Sequence, residues 1–133
     1  AKSLSNYYET ENEKLHPFTK SRIEAGIPVS AKQYIEAIEN AKKMQQTLRK
    51  FFNKFDAIIT PAATGQAPRD LMNTGNAIFN GYWTMMGVPA ISLPLLKGED
   101  SLPIGVQIIS SWNEDFKLLK IAEYILQETK KAC

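Results

Sequence analysis

The sequence contains very little cysteine or histidine, with one residue of each type among 133. Cys133 is the last residue and has no second cysteine to pair with, so an internal disulfide is excluded. A lone histidine and a terminal cysteine cannot form a structural zinc site, because such a site needs four nitrogen or sulfur ligands. The scarcity of cysteine is compatible with a cytoplasmic location.

Long hydrophobic runs and a strong net charge are also missing. No apolar stretch reaches the roughly 18 residues that a membrane span requires. No signal peptide opens the sequence, and a start at Ala1 rather than Met is compatible with removal of an upstream region. The net charge is +2, from 16 basic and 14 acidic residues, which argues against a surface dedicated to nucleic acid or membrane. A local basic cluster is typical of a solvated helix face, with a phosphate-binding patch as the alternative; it comprises Lys42, Lys43, Arg49, Lys50 and Lys54.

The sequence has no self-contained catalytic motif. It lacks a G-x-S-x-G nucleophile elbow and a glycine-rich phosphate loop. A catalytic histidine needs a nucleophile and an orienting carboxylate, and the polar stretch around His16 identifies neither. We therefore interpret His16 as a surface or helix-end residue, and the adjacent Ser110 and Ser111 as a helix cap rather than a nucleophile.

The composition, 44% hydrophobic, is that of a folded domain or a piece of one. Apolar residues three and four apart predict a long helix from residue 31 to about residue 53, opened by a capping box of Ser30 and Gln33. Its apolar stripe comprises Tyr34, Ile38, Ala41, Met44, Leu48 and Phe51. The features expected upstream are a helix near residues 3–14, a break at Pro17 and a helix near 18–25 that stops at Gly26.

The second half of the chain alternates short apolar runs with turn signals. Such runs are typical of buried strands, and the longer periodic stretches between them are typical of helices. In order, we expect a strand at 57–60, a loop at 61–75, a helix at 76–86, a strand at 90–93 ending at Pro94, a polar turn at 97–101, a strand at 104–109, and a final helix to about 129 behind a capping box of Ser111 and Glu114.

This order of elements predicts an α/β fold. The strand at 57–60, the helix at 76–86 and the strand at 90–93 form a right-handed crossover, which implies parallel strands. The strands at 90–93 and 104–109 are joined by a short turn and are expected to be antiparallel neighbours. Because the strands are apolar on both faces, helices should cover both sides of what we expect to be part of a larger mixed sheet.

Several segments in one order resemble the amidase signature family, over about residues 17–129. Each motif is weak alone, whereas their order and spacing are specific. The segments are SRIEAG at 21–26, FDAIITP at 55–61, Ala67-Pro68, FNGYWT at 79–84, GVPAISLP at 87–94 and LPIGVQII at 102–109.

The resemblance implies hydrolysis of carboxylic amides by a Ser–Ser–Lys triad, with no metal or organic cofactor. Both serines should lie near a glycine- and serine-rich segment, and this sequence has neither such a segment nor a Gly-Gly pair. We therefore expect the triad upstream, and this chain to be the C-terminal portion of one amidase signature domain, inactive alone. The alternatives are the A subunit of a glutamine-hydrolysing tRNA amidotransferase, which the segment at 79–84 disfavours, and a non-catalytic binding or assembly module.

The resemblance also identifies candidate substrate-binding residues. Thr74, Ala77 and Gly81 are small residues three and four apart, and in this family the corresponding helix borders the substrate channel; close helix packing is the alternative. Gln107 is expected to hold a neighbouring loop, with substrate contact as the alternative, and Gly105 to mark a bulge or a close backbone approach. The expected partners are a small-molecule amide and the upstream part of the protein, without nucleic acid. Apolar surface left uncovered invites association into a homo-oligomer.

Overall fold

The computed structural model describes residues 2–70 and 73–131. The chain divides into two units, Ala1–Asn40 and Ala41–Cys133. None of the described helices is both long and apolar enough to cross a membrane.

The first unit consists of short helices. Its elements are 3-10 helices at Lys2–Leu4 and Asn12–Lys14, the α-helices α1 (Ser5–Thr10) and α2 (Pro17–Gly26), and the start of α3 (Ala31–Phe52). The prediction of one helix near residues 3–14 was wrong. The side-chain amide of Asn12 donates to the carbonyl oxygen of Tyr8 at 3.1 Å, the acceptor that the Asn12 backbone N–H would use in a continuing helix.

The helix after the predicted break begins at Pro17, where a missing backbone N–H costs nothing. The Nδ1 atom of His16 accepts a hydrogen bond from the Phe18 backbone N–H at 3.3 Å. The lone histidine is therefore a helix-end residue, as the sequence indicated.

The capping box of the long helix is confirmed. The backbone N–H of Gln33 donates to Ser30 Oγ at 3.2 Å, and the backbone N–H of Ser30 donates to Gln33 Oε1 at 2.9 Å. Of the predicted apolar stripe, Leu48 is the buried member. The stripe residues left exposed are Tyr34, Ile38, Met44 and Phe51.

The second unit contains a three-stranded sheet in the order β1-β3-β2. The strands are β1 (Ile58–Pro61), β2 (Ala90–Lys97) and β3 (Pro103–Ile109), and β3 is antiparallel to both neighbours. The predicted antiparallel pairing of the last two strands is confirmed. β1 and β2 run in the same direction, as expected, but they do not pair because β3 lies between them.

β2 extends beyond its predicted end at Pro94. Its register against β3 shifts between Leu93 and Leu96, and Pro94 within this interval has no N–H to give to the ladder. The irregular pairing accommodates Pro94, which lies on an edge strand, where proline is tolerated. Regular pairing resumes at Leu96.

Helices cover both faces of the sheet, which confirms the predicted fold class. On one face, Ile109 packs with Leu48 of α3, Met86 of α4 (Ile78–Met86) and Val88. On the other face, Ile108 and Leu93 pack against α5 (Asp115–Lys131), through the side chains of Leu118 and Ala122. Ile108 and Ile109 have no exposed surface, so consecutive residues of β3 anchor two opposite cores.

Two predicted helix starts differ from the structure. α4 begins at Ile78 rather than residue 76, because Asn76 Oδ1 accepts the Ile78 N–H at 3.0 Å and forms a turn before the helix. The capping box of Ser111 and Glu114 was wrong, because Asn113 has φ 62° and the chain becomes helical only at Asp115.

Apolar surface remains open on the described residues of the second unit, as expected from the sequence. Ile59 of β1 is 60% exposed, and Phe116 and Leu119 of α5 are 71% and 56% exposed. Side chains of this size on one strand and one helix are typical of surfaces that another part of a protein covers.

Candidate functional site

Two adjoining cavities lie on the sheet face that α4 covers. The first, which we call the loop cavity, has a volume of about 560 Å³ and is bounded mainly by the segment between β1 and α4. The second, the helix cavity, has a volume of about 490 Å³ and lies between α4 and β2. Ala62, Asn80 and Ser92 line both cavities, so the two form one continuous cleft.

The structure brings two of the three predicted substrate-binding residues into the cleft. Thr74 and Ala77 line the loop cavity, whereas Gly81 is not among the residues that line either cavity. The prediction that all three share one helix face was wrong, since α4 begins at Ile78 and both Thr74 and Ala77 precede it. A Cβ atom at Gly81 would have no neighbour within 4 Å, so the space beside it is open.

One stripe of α4 forms a wall of the helix cavity. Asn80, Trp83 and Thr84 stand three and four residues apart, so they share one side of the helix. Across from them are Val88 and the beginning of β2. The wall therefore combines a large apolar ring with neutral polar side chains.

Gln107 holds two elements of the cleft together. Its Nε2 atom donates to the backbone carbonyl oxygens of Pro61, at the end of β1, and Phe79, in the first turn of α4, both at 2.9 Å. Gln107 is 4% exposed. The predicted structural role of Gln107 is confirmed in part, because its amide anchors neighbouring backbone, but that backbone belongs to β1 and α4 rather than to a loop. Asn80 directly follows one of the two anchored carbonyls.

Gly105 allows the Ser92 hydroxyl to lie against β3. A Cβ atom at position 105 would collide with Ser92 Oγ and would stand 3.0 Å from the Cβ atom of Ala62. Gly105 lies opposite the register shift of β2, between the pairs Leu93–Val106 and Leu96–Ile104, so the expected bulge is confirmed. The close approach at Gly105 is made by side-chain atoms rather than by backbone, and it includes a hydroxyl that lines both cavities.

The outer wall of the loop cavity is tied to the turn between β2 and β3. Asp100 in that turn accepts hydrogen bonds from Arg69 and, at 2.6 Å, from Gln66 Nε2. The Gln66 Oε1 atom in turn accepts the Asp100 backbone N–H at 3.2 Å. The Arg69 guanidinium, with the Gln66 amide as the smaller cause, lowers the pKa of Asp100 below its ordinary value.

The described part of the cleft lining is almost uncharged. Asp70 is its one charged side chain, Ser92 is its one serine, and it includes no lysine, arginine or histidine. Within residues 2–70 and 73–131, no group of three or more His, Cys, Asp or Glu side chains is placed to hold a metal ion. These residues can bind and orient a neutral molecule, but they do not supply an activated nucleophile.

Asn80 and Ser92 are among the cleft residues that the sequence did not single out as binding residues. Both lie within the segments that carried the resemblance, FNGYWT and GVPAISLP. Each is a polar residue within one of these segments. The same kind of feature, a polar residue within an apolar run, singled out Gln107.

The family described as Amidase matches residues 1–119 of this chain. The A subunit of the Glutamyl-tRNA(Gln) amidotransferase of Listeria welshimeri is 31% identical over 135 residues, which cover 92% of this chain and 28% of that protein. The protein of the same name from the Wolbachia of Brugia malayi is 29% identical over 113 residues, covering 77% of this chain and 23% of the relative.

Among solved structures, a crystal structure of an amidase has a TM-score of 0.79 at 22% sequence identity and covers 94% of this chain and 31% of its own. At this sequence identity, the likeness shows a shared fold alone. The chain spans less than a third of the length of each of these three proteins. On the match of 119 residues, the chain belongs to the amidase family.

Proposed function

We propose that this chain is the C-terminal portion of an amidase that hydrolyses the C–N bond of carboxylic amides. In this proposal the Ser–Ser–Lys triad lies upstream, outside the 133 residues, and the chain supplies three strands and one wall of the substrate pocket. The observation that carries the proposal is the cleft, which offers neutral binding groups but neither a second serine nor a lysine among its described lining residues.

Amide hydrolysis requires groups that this cleft does not assemble. The reaction needs an activated nucleophile, a proton shuttle and donors aimed at the developing oxyanion. A neutral lysine acting through one serine on the other would provide the first two. We therefore infer that the chain alone has no amidase activity, since loss of one member of a catalytic triad already costs several orders of magnitude in rate.

Within this proposal, Thr74, Ala77 and Gly81 contact the substrate. Thr74 and Ala77 stand on the wall of the loop cavity, and the open space beside Gly81 is available to substrate or to the upstream part of the protein. The proposal includes a small-molecule amide as partner, no metal or organic cofactor, a cytoplasmic location and self-association through the uncovered apolar surface.

The charge of the cleft favours a neutral amide over glutamine as the substrate. Free glutamine carries an ammonium and a carboxylate, and burial of each requires a partner of opposite charge. The described lining includes no basic side chain for the carboxylate. The second candidate, the A subunit of a glutamine-hydrolysing amidotransferase, is supported by the name of the relative that matches 92% of the chain.

Ammonia release by the full-length protein separates the two candidates. We expect simple primary aryl and acyl amides, which release ammonia on hydrolysis, to be hydrolysed faster than glutamine. Bulky residues at Thr74 and Gly81 should reduce that rate. A preference for glutamine that depends on a partner protein would overturn the choice of substrate.

A further inference from the structure

Two polar side chains at the junction of the cavities have no hydrogen-bond partner among residues 2–70 and 73–131. These are the carboxamide of Asn80 and the hydroxyl of Ser92, and each lines both cavities. Asn80 takes part in a side-chain hydrogen bond only through its backbone carbonyl, which accepts the Thr84 hydroxyl at 3.0 Å. Both side chains are exposed to the cleft, so a ligand can replace solvent on them.

Two other polar side chains of the helix cavity are less available. The Thr84 hydroxyl is committed to the Asn80 carbonyl oxygen, and the two amide hydrogens of Gln107 are directed to Pro61 and Phe79. Asn80 and Ser92, together with the indole N–H of Trp83, can give hydrogen bonds to a ligand in this cavity without breaking one within the described protein.

The position of the Ser92 hydroxyl depends on the absence of a side chain at Gly105. A Cβ atom there would displace Ser92 Oγ. A glycine within a strand interior weakens the strand relative to alanine. The glycine at position 105 therefore keeps the Ser92 hydroxyl facing the cleft.

We propose that Asn80 and Ser92 determine substrate specificity by binding an uncharged hydrogen-bonding group, such as a carboxamide, on the substrate. A carboxamide both donates and accepts hydrogen bonds, as do the side chains of asparagine and serine. The attached aryl or alkyl body would pack against Trp83 and Val88 of the same cavity. A carboxylate at this position would meet no basic side chain in the described lining.

This proposal rests on the proposed function and is tested with three amides of similar shape. Terephthalamide carries a second carboxamide opposite its amide, 4-isopropylbenzamide replaces that group with an apolar one, and terephthalamate replaces it with a carboxylate. Each is titrated calorimetrically into the full-length protein at low temperature, where turnover is slow, and ammonia release is recorded separately.

We expect terephthalamide to bind at least about 10-fold more tightly than 4-isopropylbenzamide, because a hydrogen-bonding site discriminates against an analogue that lacks the group. Asn80→Leu and Ser92→Ala should each reduce this preference by roughly 10-fold, and Gly105→Ala should reduce it by displacing the Ser92 hydroxyl. Matched changes in a separate cavity, Asn53→Leu and Ser111→Ala, should preserve it.

A preference that survives Asn80→Leu and Ser92→Ala overturns the assignment, and so does tighter binding of terephthalamate than of terephthalamide. Failure of the proposed function has a different signature. Absence of ammonia release from any amide contradicts amidase activity, while the binding preferences and their response to substitution still test the two residues.

Discussion

Replacement of Gln107 tests how the cleft is held in shape. The Gln107 side chain makes two hydrogen bonds of 2.9 Å, to the carbonyl oxygens of Pro61 and Phe79. Gln107→Met keeps the length of the side chain but removes both donors. Each bond contributes about 1 kcal/mol, and a buried carbonyl left with too few partners costs roughly 1–3 kcal/mol. We expect the variant to lower the free energy of unfolding by about 2–4 kcal/mol.

Gln107→Glu adds a pH dependence with a defined sign. A carboxylate facing two carbonyl oxygens in a site that is 4% exposed is disfavoured, so the folded-state pKa of the new carboxyl should be raised above its unfolded value near 4.3. The protonated acid can still donate one hydrogen bond. The variant should therefore lie closest to the wild type below pH 4 and lose stability as pH rises above about 4.

Denaturant unfolding monitored by tryptophan fluorescence measures both effects. The two tryptophans, Trp83 and Trp112, lie in the second unit. Gln46 is exposed, so Gln46→Met and Gln46→Glu are matched controls with little expected change. Two results would contradict this role of Gln107. One is a free energy of unfolding of Gln107→Met equal to that of the wild type, and the other is a stability of Gln107→Glu relative to the wild type that does not change with pH.

Three further predictions concern single side chains. Ser110 is fully buried and its hydroxyl has no hydrogen-bond partner among the described residues. Ser110→Ala should therefore leave the free energy of unfolding unchanged or raise it by about 1 kcal/mol. A clear decrease of that free energy in denaturant unfolding would show that the hydroxyl has a partner. Arg69→Met should raise the pKa of Asp100 toward its ordinary value, which a carboxyl NMR titration would measure. In the wild type the contact with Arg69 is present above the lowered pKa of Asp100 and is lost as the pH falls through that pKa. An unchanged pKa of Asp100 in the variant would contradict this prediction. Gly87 ends α4 in the left-handed conformation, at φ 70°, so Gly87→Ala should destabilise the protein by about 1–2 kcal/mol. Gly81 lies within the helix and faces open space, so Gly81→Ala should stabilise the protein by roughly 0.5–1 kcal/mol. Equal effects of the two substitutions on the free energy of unfolding would contradict the different roles of the two glycines.

The features of the fold that were predicted correctly depend on neighbouring residues. The reciprocal cap of Ser30 and Gln33 and the end of α4 at Gly87 follow from the chemistry of a few consecutive positions. The position of β3 between β1 and β2 depends on pairing across long stretches of chain, which local patterns do not encode. The extension of β2 past Pro94 likewise depends on the pairing that resumes at Leu96.

The candidate site was predictable in part, for a related reason. Thr74 and Ala77 were chosen by helical spacing, and they line the loop cavity although both precede the helix. Asn80 and Ser92 come from two elements that meet only in the folded chain, and the freedom of their side chains depends on which other groups are already hydrogen-bonded. No spacing rule along one segment reveals that.

Ammonia release from a simple aryl amide, measured for the full-length protein and for the 133-residue chain side by side, tests the central claim most directly. We expect turnover by the full-length protein and none above background by the chain alone. Turnover by the chain alone that bulky residues at Thr74 and Gly81 abolish would contradict it, because an active site would then lie within these residues.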